Sequence, residues 1–326
     1  MASGQTILMN LAGFTNKTGE YFQVNPPAEK SAEEGRSGGE ETFMFGDNDS
    51  PVEFLEEVLP VTTPDPNRVS YPVEEIDGSG SKGAAGISVN DTSDSGLDLA
   101  EEIKKGFTLE KGDGPLVLIY HTHTCESYLK SYTGFYYGDD SFRSDDINKN
   151  ICTVGEALKE SLAANGIEAV HATEIHDSPA FNGAYGRSTE TAQKYMEQYP
   201  SIKITIDLHR DAMINDQGIS YKPTAEVEGK KAAQMMIIAG CDPTGELEYE
   251  NWYPNLLFAL KLQEKGEALY EGLMRPLMFC QRSYNMWLTD TSFLVEIGTQ
   301  ANTFAEAEYS GKLLGNILAQ VINESG

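Results

Sequence analysis

A chain of 326 residues with 51 acidic against 24 basic residues carries a formal net charge of −27, which excludes partners that present a phosphate backbone. No stretch reaches the roughly 18 uninterrupted apolar residues of a membrane span, and the opening MASGQTILMNLAGF lacks both the basic flank and the apolar run of a signal peptide. Four scattered cysteines, Cys125, Cys152, Cys241 and Cys280, form no Cys-x-x-Cys pair, so neither a zinc knuckle nor a disulfide framework is legible.

The first hundred residues hold eighteen acidic against five basic side chains, with no histidine and no cysteine. PPAEKSAEEGRSGGEE and IDGSGSKGAAGISVNDTSDSG have linker composition, and PVEFLEEVLPVTTP between them suits a short helix ending at a proline. Residues 1–105 are therefore expected to be an acidic, mostly flexible arm, and residues 106–326 a catalytic domain able to fold without it. In that domain Leu116–Tyr120 reads as a buried strand after the turn Gly112-Asp113-Gly114-Pro115. Helical spacing over Ile147–Asn165 stops at Asn165-Gly166, and Ile167–His171 is the next strand. A helix is predicted from Ser188, acting as its opening residue, to Tyr199. Further strands are predicted at Ile202–His209, Gln234–Gly240 and Thr291–Gly298, and helices at Pro254–Tyr270 and Ala305–Ile322. Strands alternating with helices predict a three-layer α/β domain with a mainly parallel sheet flanked by helices.

Four polar clusters stand out, three of them at the carboxyl ends of these strands: His121-Thr-His123-Thr-Cys-Glu126, His171 to Asp177, Asp207-Leu-His209-Arg210-Asp211, and Glu296, with His171 and His176 assigned to structural or substrate-groove roles. The carboxyl ends of parallel strands share one edge, where open α/β sheets place their ligands. A catalytic zinc takes three ligands from His, Glu and Asp. His123, Glu126 and His209 fit that set if the chain turns tightly after the first strand, with Glu296 as general base and acid. His121, two residues before His123, shares its face if the strand extends that far, and is assigned to substrate contact. Arg210 stabilises a developing oxyanion, or grips a substrate carboxylate, or pairs with Asp207 or Asp211. Taken singly, His209 at a strand end reads as a hydrogen-bonded core histidine. Glu296, flanked by Leu294, Val295 and Ile297, needs a partner or a metal when buried. Cys125 as a nucleophile, with His121 or His123 as base, is a further option.

VLIYHTHTCESY, NICTVGEALKESLAANGIEAVHATEIHD, IKITIDLHRDA and FLVEIGTQANTFAEAE, in this order, resemble the stage II sporulation protein P family. The resemblance covers about Phe107 to Ile322 and implies a peptidoglycan hydrolase related to zinc-dependent N-acetylmuramoyl-L-alanine amidases, cutting the muramoyl–L-alanine amide and also stem-peptide cross-links during sporulation engulfment. It places His123 and His209 on the zinc histidines and Glu296 on the catalytic glutamate, with Zn2+ as cofactor. The helix that supplies the amidases' glutamate ligand has only aspartates here, in SDDINKN, so Glu126 is the substitute, as in zinc carboxypeptidases. The resemblance also implies a stage II sporulation protein D-like lytic transglycosylase as partner. It sets the protein outside the cytoplasm, at the mother-cell and forespore membrane and cell wall, with a membrane tether that this chain does not show. A catalytically silent peptidoglycan-binding module and a zinc carboxypeptidase are the alternatives.

Overall fold

The computed structural model describes residues 63–325. PPAEKSAEEGRSGGEE lies outside them, as does the short helix expected in PVEFLEEVLPVTTP apart from its final Thr63-Pro64. The strands are β1 (Ser70–Ile76), β2 (Val89–Thr92), β3 (Val117–Tyr120), β4 (Phe135–Tyr137), β5 (Ala169–His171), β6 (Ile204–Asp211), β7 (Ser220–Val227), β8 (Lys230–Ala233), β9 (Met235–Gly240), β10 (Leu277–Cys280) and β11 (Thr291–Thr299). The helices are α1 (Leu99–Glu102), α2 (Cys152–Ala164), α3 (Ala184–Gln198), α4 (Trp252–Leu269) and α5 (Phe304–Glu324).

Seven strands form the central sheet in the order β2-β10-β9-β11-β6-β3-β5, and every neighbouring pair in it is parallel except β9 with β11. Its central strands are apolar runs because both faces are covered. Val117 and Ile119 of β3 join the main core with α2, α4 and α5, while Leu118 and Tyr120 point the other way, into a smaller cluster with Ala192 of α3. The expected α/β layering with a mainly parallel sheet is thus the observed one. A second sheet, β4-β1-β7-β8, stands beside it.

The arm boundary near residue 105 needs correction. β2 pairs in parallel with β10, setting Val89 opposite Leu277, and β1 runs between β4 and β7. Val73, Ile87 and Ile103 are buried. Two of the glycines that look like linker chemistry, Gly78 and Gly80, serve close approach instead. A Cβ at Gly80 would lie 2.4 Å from Pro276, and Gly78 donates its backbone N–H to Gln234 Oε1 at 2.6 Å. Composition reports local flexibility, whereas these contacts are made with residues far along the chain.

Two helix starts also move. α2 begins at Cys152 because Asp146 turns the preceding chain, accepting from the Asn148 N–H through its side chain and from the Lys149 N–H through its carbonyl. α3 begins at Ala184, after Gly183 at φ 81°, so Ser188 is an interior residue whose hydroxyl bonds back to the Tyr185 carbonyl.

Candidate metal centre

β3, β6 and β11 lie side by side and parallel, so their carboxyl ends meet at one edge. The register sets Glu296 directly opposite His209. After β3 the chain turns at once: the Glu126 N–H donates to the His123 carbonyl at 3.1 Å, which folds the glutamate back onto the histidine. Asp207 holds that turn against β6, accepting from the Thr122 N–H at 2.8 Å and the Thr122 hydroxyl at 2.7 Å.

The structure brings His123, Glu126 and His209 together, with one ligand atom from each within 4.8 Å of the others. Glu126 lies between the rings, Oε1 at 3.7 Å from His123 Nδ1 and Oε2 at 3.6 Å from His209 Nδ1. These separations are too long for hydrogen bonds, and the buried His123 Nδ1 has no hydrogen-bond partner among the described residues. Two imidazole nitrogens and a carboxylate converging on one point suit zinc, so the residues fit the group. The far side of His209 faces Asp207 Oδ1 at 2.8 Å, a short approach that is poorly aligned for a hydrogen bond. Such a carboxylate behind a ligand histidine fixes its ring and its tautomer.

Charge within this enclosure is strongly coupled. Burial disfavours a charged His209, but Asp207, then Glu126 and Glu296, push it up to about 10. Burial also opposes a charged Glu126, yet His123, His209 and Arg210 hold it well below the usual carboxylate range. Glu296 moves the opposite way. Burial, followed by repulsion from Asp211, pushes it up to about 8, and its Oε2 has no hydrogen-bond partner among the described residues. Behind it, Asp211 is bound by the buried Arg275 at 2.9 Å.

Arg210 forms neither of the side-chain pairs considered for it. Its guanidinium donates to the carbonyls of Ser127 at 2.8 Å, Phe142 at 2.9 Å and Asp211 at 3.2 Å, while its backbone N–H donates to Glu126 Oε2 at 2.9 Å. His121 is set apart from the cluster and fully enclosed, with Nδ1 on the Leu208 carbonyl and Nε2 facing His171. His176 is structural: its Nδ1 donates to the His121 carbonyl and its Nε2 accepts from Thr191. Cys125 is buried, and burial and then Asp177 push its thiol up to about 12, which denies it the thiolate a nucleophile needs.

Sequence reasoning missed the aromatic wall. His123 stacks on the exposed Phe181 at 4.3 Å, Tyr185 meets its edge at 5.7 Å, and Tyr284 packs on Tyr185. No spacing announces these residues, because they come from a loop, a helix start and a turn. Asp207 was legible as a partner to His209, since residues two apart on a strand share a face.

A family model described as stage II sporulation protein P matches residues 49–319. The stage II sporulation protein P of Bacillus subtilis (strain 168) is 27% identical over 222 residues, covering 64% of this chain and 52% of that protein, so the chain spans about half the length of that relative. Among solved structures, the N-acetylmuramoyl-L-alanine amidase AmiC2 of Nostoc punctiforme is 12% identical, covering 65% of this chain and 98% of that one at a TM-score of 0.38. The CwlD amidase from Clostridioides difficile, solved in complex with the GerS lipoprotein, is 9% identical over 64% of this chain and 98% of that one, at a TM-score of 0.40. The family match begins before β1, ends within α5 and takes in His123, Glu126, His209 and Glu296, and on that span the chain belongs to the stage II sporulation protein P family.

Proposed function

We propose that the protein is a zinc-dependent peptidoglycan hydrolase that cuts the N-acetylmuramoyl–L-alanine amide, and also stem-peptide cross-links, during sporulation engulfment. The observation that carries this reading is the convergence of His123, Glu126 and His209, with the unpartnered Glu296 on the neighbouring strand. Family membership supports the sporulation setting. His123 Nδ1, a Glu126 oxygen and His209 Nδ1 would hold the metal. When bound, zinc lowers the pKa of a water molecule and polarises the amide carbonyl.

The protein's own groups do the rest. Glu296 receives the proton of the attacking water and returns it to the departing amine of L-alanine. Asp207 orients His209, and the Arg210 backbone N–H orients Glu126. Phe181, Tyr185 and Tyr284 offer aromatic faces on which a sugar or peptide stem packs. A carboxypeptidase would need a free cation for the substrate's carboxylate. Arg210, the candidate for that task, has its guanidinium engaged by three carbonyls, which favours the amidase reading.

The proposed place of action is outside the cytoplasm, at the mother-cell and forespore membrane and wall, beside a stage II sporulation protein D-like lytic transglycosylase. Among the described residues no helix is long and apolar enough to cross a membrane. The test is digestion of purified peptidoglycan by the zinc-loaded protein. Amide cleavage releases stem peptides with a free L-alanine amine and creates no new reducing sugar ends. Glu296→Gln is expected to slow release by about 10²–10⁴-fold while keeping its zinc. Wall binding without release by the wild type would point to a silent binding module, and loss of zinc from the variant would make Glu296 a ligand.

A further inference from the structure

Beneath the turn that carries His123 lies a second cluster, His121, His171 and Cys152, with one ligand atom from each within 4.8 Å of the others. Its parts come from three elements: the carboxyl ends of β3 and β5 and the first turn of α2. The Nε2 atoms of the two histidines face each other at 2.8 Å.

The outer nitrogens decide the tautomers. His121 Nδ1 lies 2.9 Å from the Leu208 carbonyl, which only accepts, so Nδ1 carries the hydrogen. His171 Nδ1 lies 3.1 Å from Glu156 Oε2. Glu156 is paired with Lys159 at 3.0 Å, so this carboxylate is an acceptor too. Both neutral rings therefore turn a bare lone pair toward the other. A proton on one Nε2 would relieve that opposition only by leaving an imidazolium where both rings are enclosed. A metal ion relieves it without that cost.

We infer that His121 Nε2, His171 Nε2 and Cys152 Sγ form a second metal site, for zinc or a similar late transition metal, separate from the His123–Glu126–His209 centre. The arrangement has the outer shell that metal-binding histidines characteristically show, a backbone carbonyl behind one ring and a carboxylate behind the other. Two imidazoles and a thiolate select zinc, cobalt or copper over magnesium or calcium. Gly155 leaves room for the ion, since a Cβ there would lie 2.4 Å from His171 Nε2 and 2.9 Å from His121 Nε2. Access is also present: Cys152, Glu156 and His171 line a cleft of about 560 Å³. On binding, the Cys152 thiol gives its proton to solvent and the sulfur takes the metal in its place. Because the thiol must give up its proton, the site is expected to fill poorly at low pH. The ion would tie α2 to β3 and β5 directly under the first metal's turn.

Cobalt separates the two centres, because only this one contains sulfur. The metal-stripped chain titrated with Co2+ should bind about two ions and develop a near-ultraviolet sulfur-to-cobalt charge-transfer band. His209→Ala should keep that band while losing an ion. Cys152→Ser should lose the band and keep about one ion, and His171→Ala, a second variant whose folding is checked by circular dichroism, should weaken it. A wild type that saturates with Co2+ and shows no such band overturns the inference whatever the variants do. So does a band that survives Cys152→Ser. Neither result touches the wall-digestion reading, which rests on the other centre.

Discussion

Asp207 shows how one side chain can serve both fold and site. It is buried, and the opposition of burial to its charge is overcome by His209 and Thr122, which lower its pKa. It grips the Thr122 backbone and hydroxyl on one side and faces His209 on the other. Asp207→Asn keeps the size but offers His209 Nε2 a weaker acceptor, and is expected to weaken zinc affinity by about 10–100-fold, read by competition with a chelator. Unchanged affinity would show that the ring is held by packing alone. Glu296 yields a pH prediction for the metal-free protein. A carboxyl raised from 4.5 to about 8 keeps its proton in the native chain after the unfolded chain has lost it. The stability from this group is therefore full below 4.5, falls as pH rises to about 8 and stays lost above it. Glu296→Gln has no proton to lose, so its stability relative to wild type should rise between about pH 5 and about pH 9 in urea denaturation. A constant difference would mean that Glu296 ionises as an exposed glutamate does.

Legibility varies among the elements with how local their stabilisation is. β3 and β9 could be read because strands covered on both faces are apolar runs, β6 and β11 because apolar residues lead into charged ones there, and α4 and α5 because their apolar spacing is long. The hairpin β7–β8 was not read. Pro223 argues against a strand, and Lys222 looks like a surface residue. Lys222 is in fact fully buried, 2.6 Å from Glu306 and 3.3 Å from Glu75. Glu306 also closes the capping box with Thr303 that starts α5, so one carboxylate joins the second sheet to the last helix. Lys222→Ala strands that carboxylate and should cost about 3–5 kcal/mol. Thr303→Ala removes one cap bond and should cost only about 1 kcal/mol. Urea denaturation of both variants orders them, and equal losses would mean that Glu306 reaches water once Lys222 is gone. The cluster of His123, Glu126 and His209 beside Glu296 was legible for a related reason. Its histidines and Glu296 lie toward the carboxyl ends of parallel strands, where strand order alone predicts convergence, whereas the thiol beside His121 and His171 comes from a helix start.

At the scale of the whole molecule, the domain's limits are the point on which composition misleads. β2 covers the β10 edge of the central sheet, β1 lies inside the second sheet, and the Ser88 N–H donates to Glu267 of α4 at 2.8 Å. Removing residues 63–105 would take away Val73, Ile87 and Ile103, each buried side chain contributing about 1.5–3 kcal/mol. It would also expose β10 and β7 as unpaired edges. That sum is comparable to the whole net stability of a typical domain, about 5–15 kcal/mol. A chain beginning at Thr63 is therefore expected to unfold cooperatively, with a near-ultraviolet circular dichroism spectrum like that of the full chain. A chain beginning at Gly106 is expected to lose both that spectrum and the cooperative transition, and to associate through its exposed strand edges during gel filtration. If the Gly106 chain instead melts at the same midpoint as the full chain, β1 and β2 are dispensable additions, and the two candidate metal clusters are held by the β3–β6–β11 edge and α2 alone.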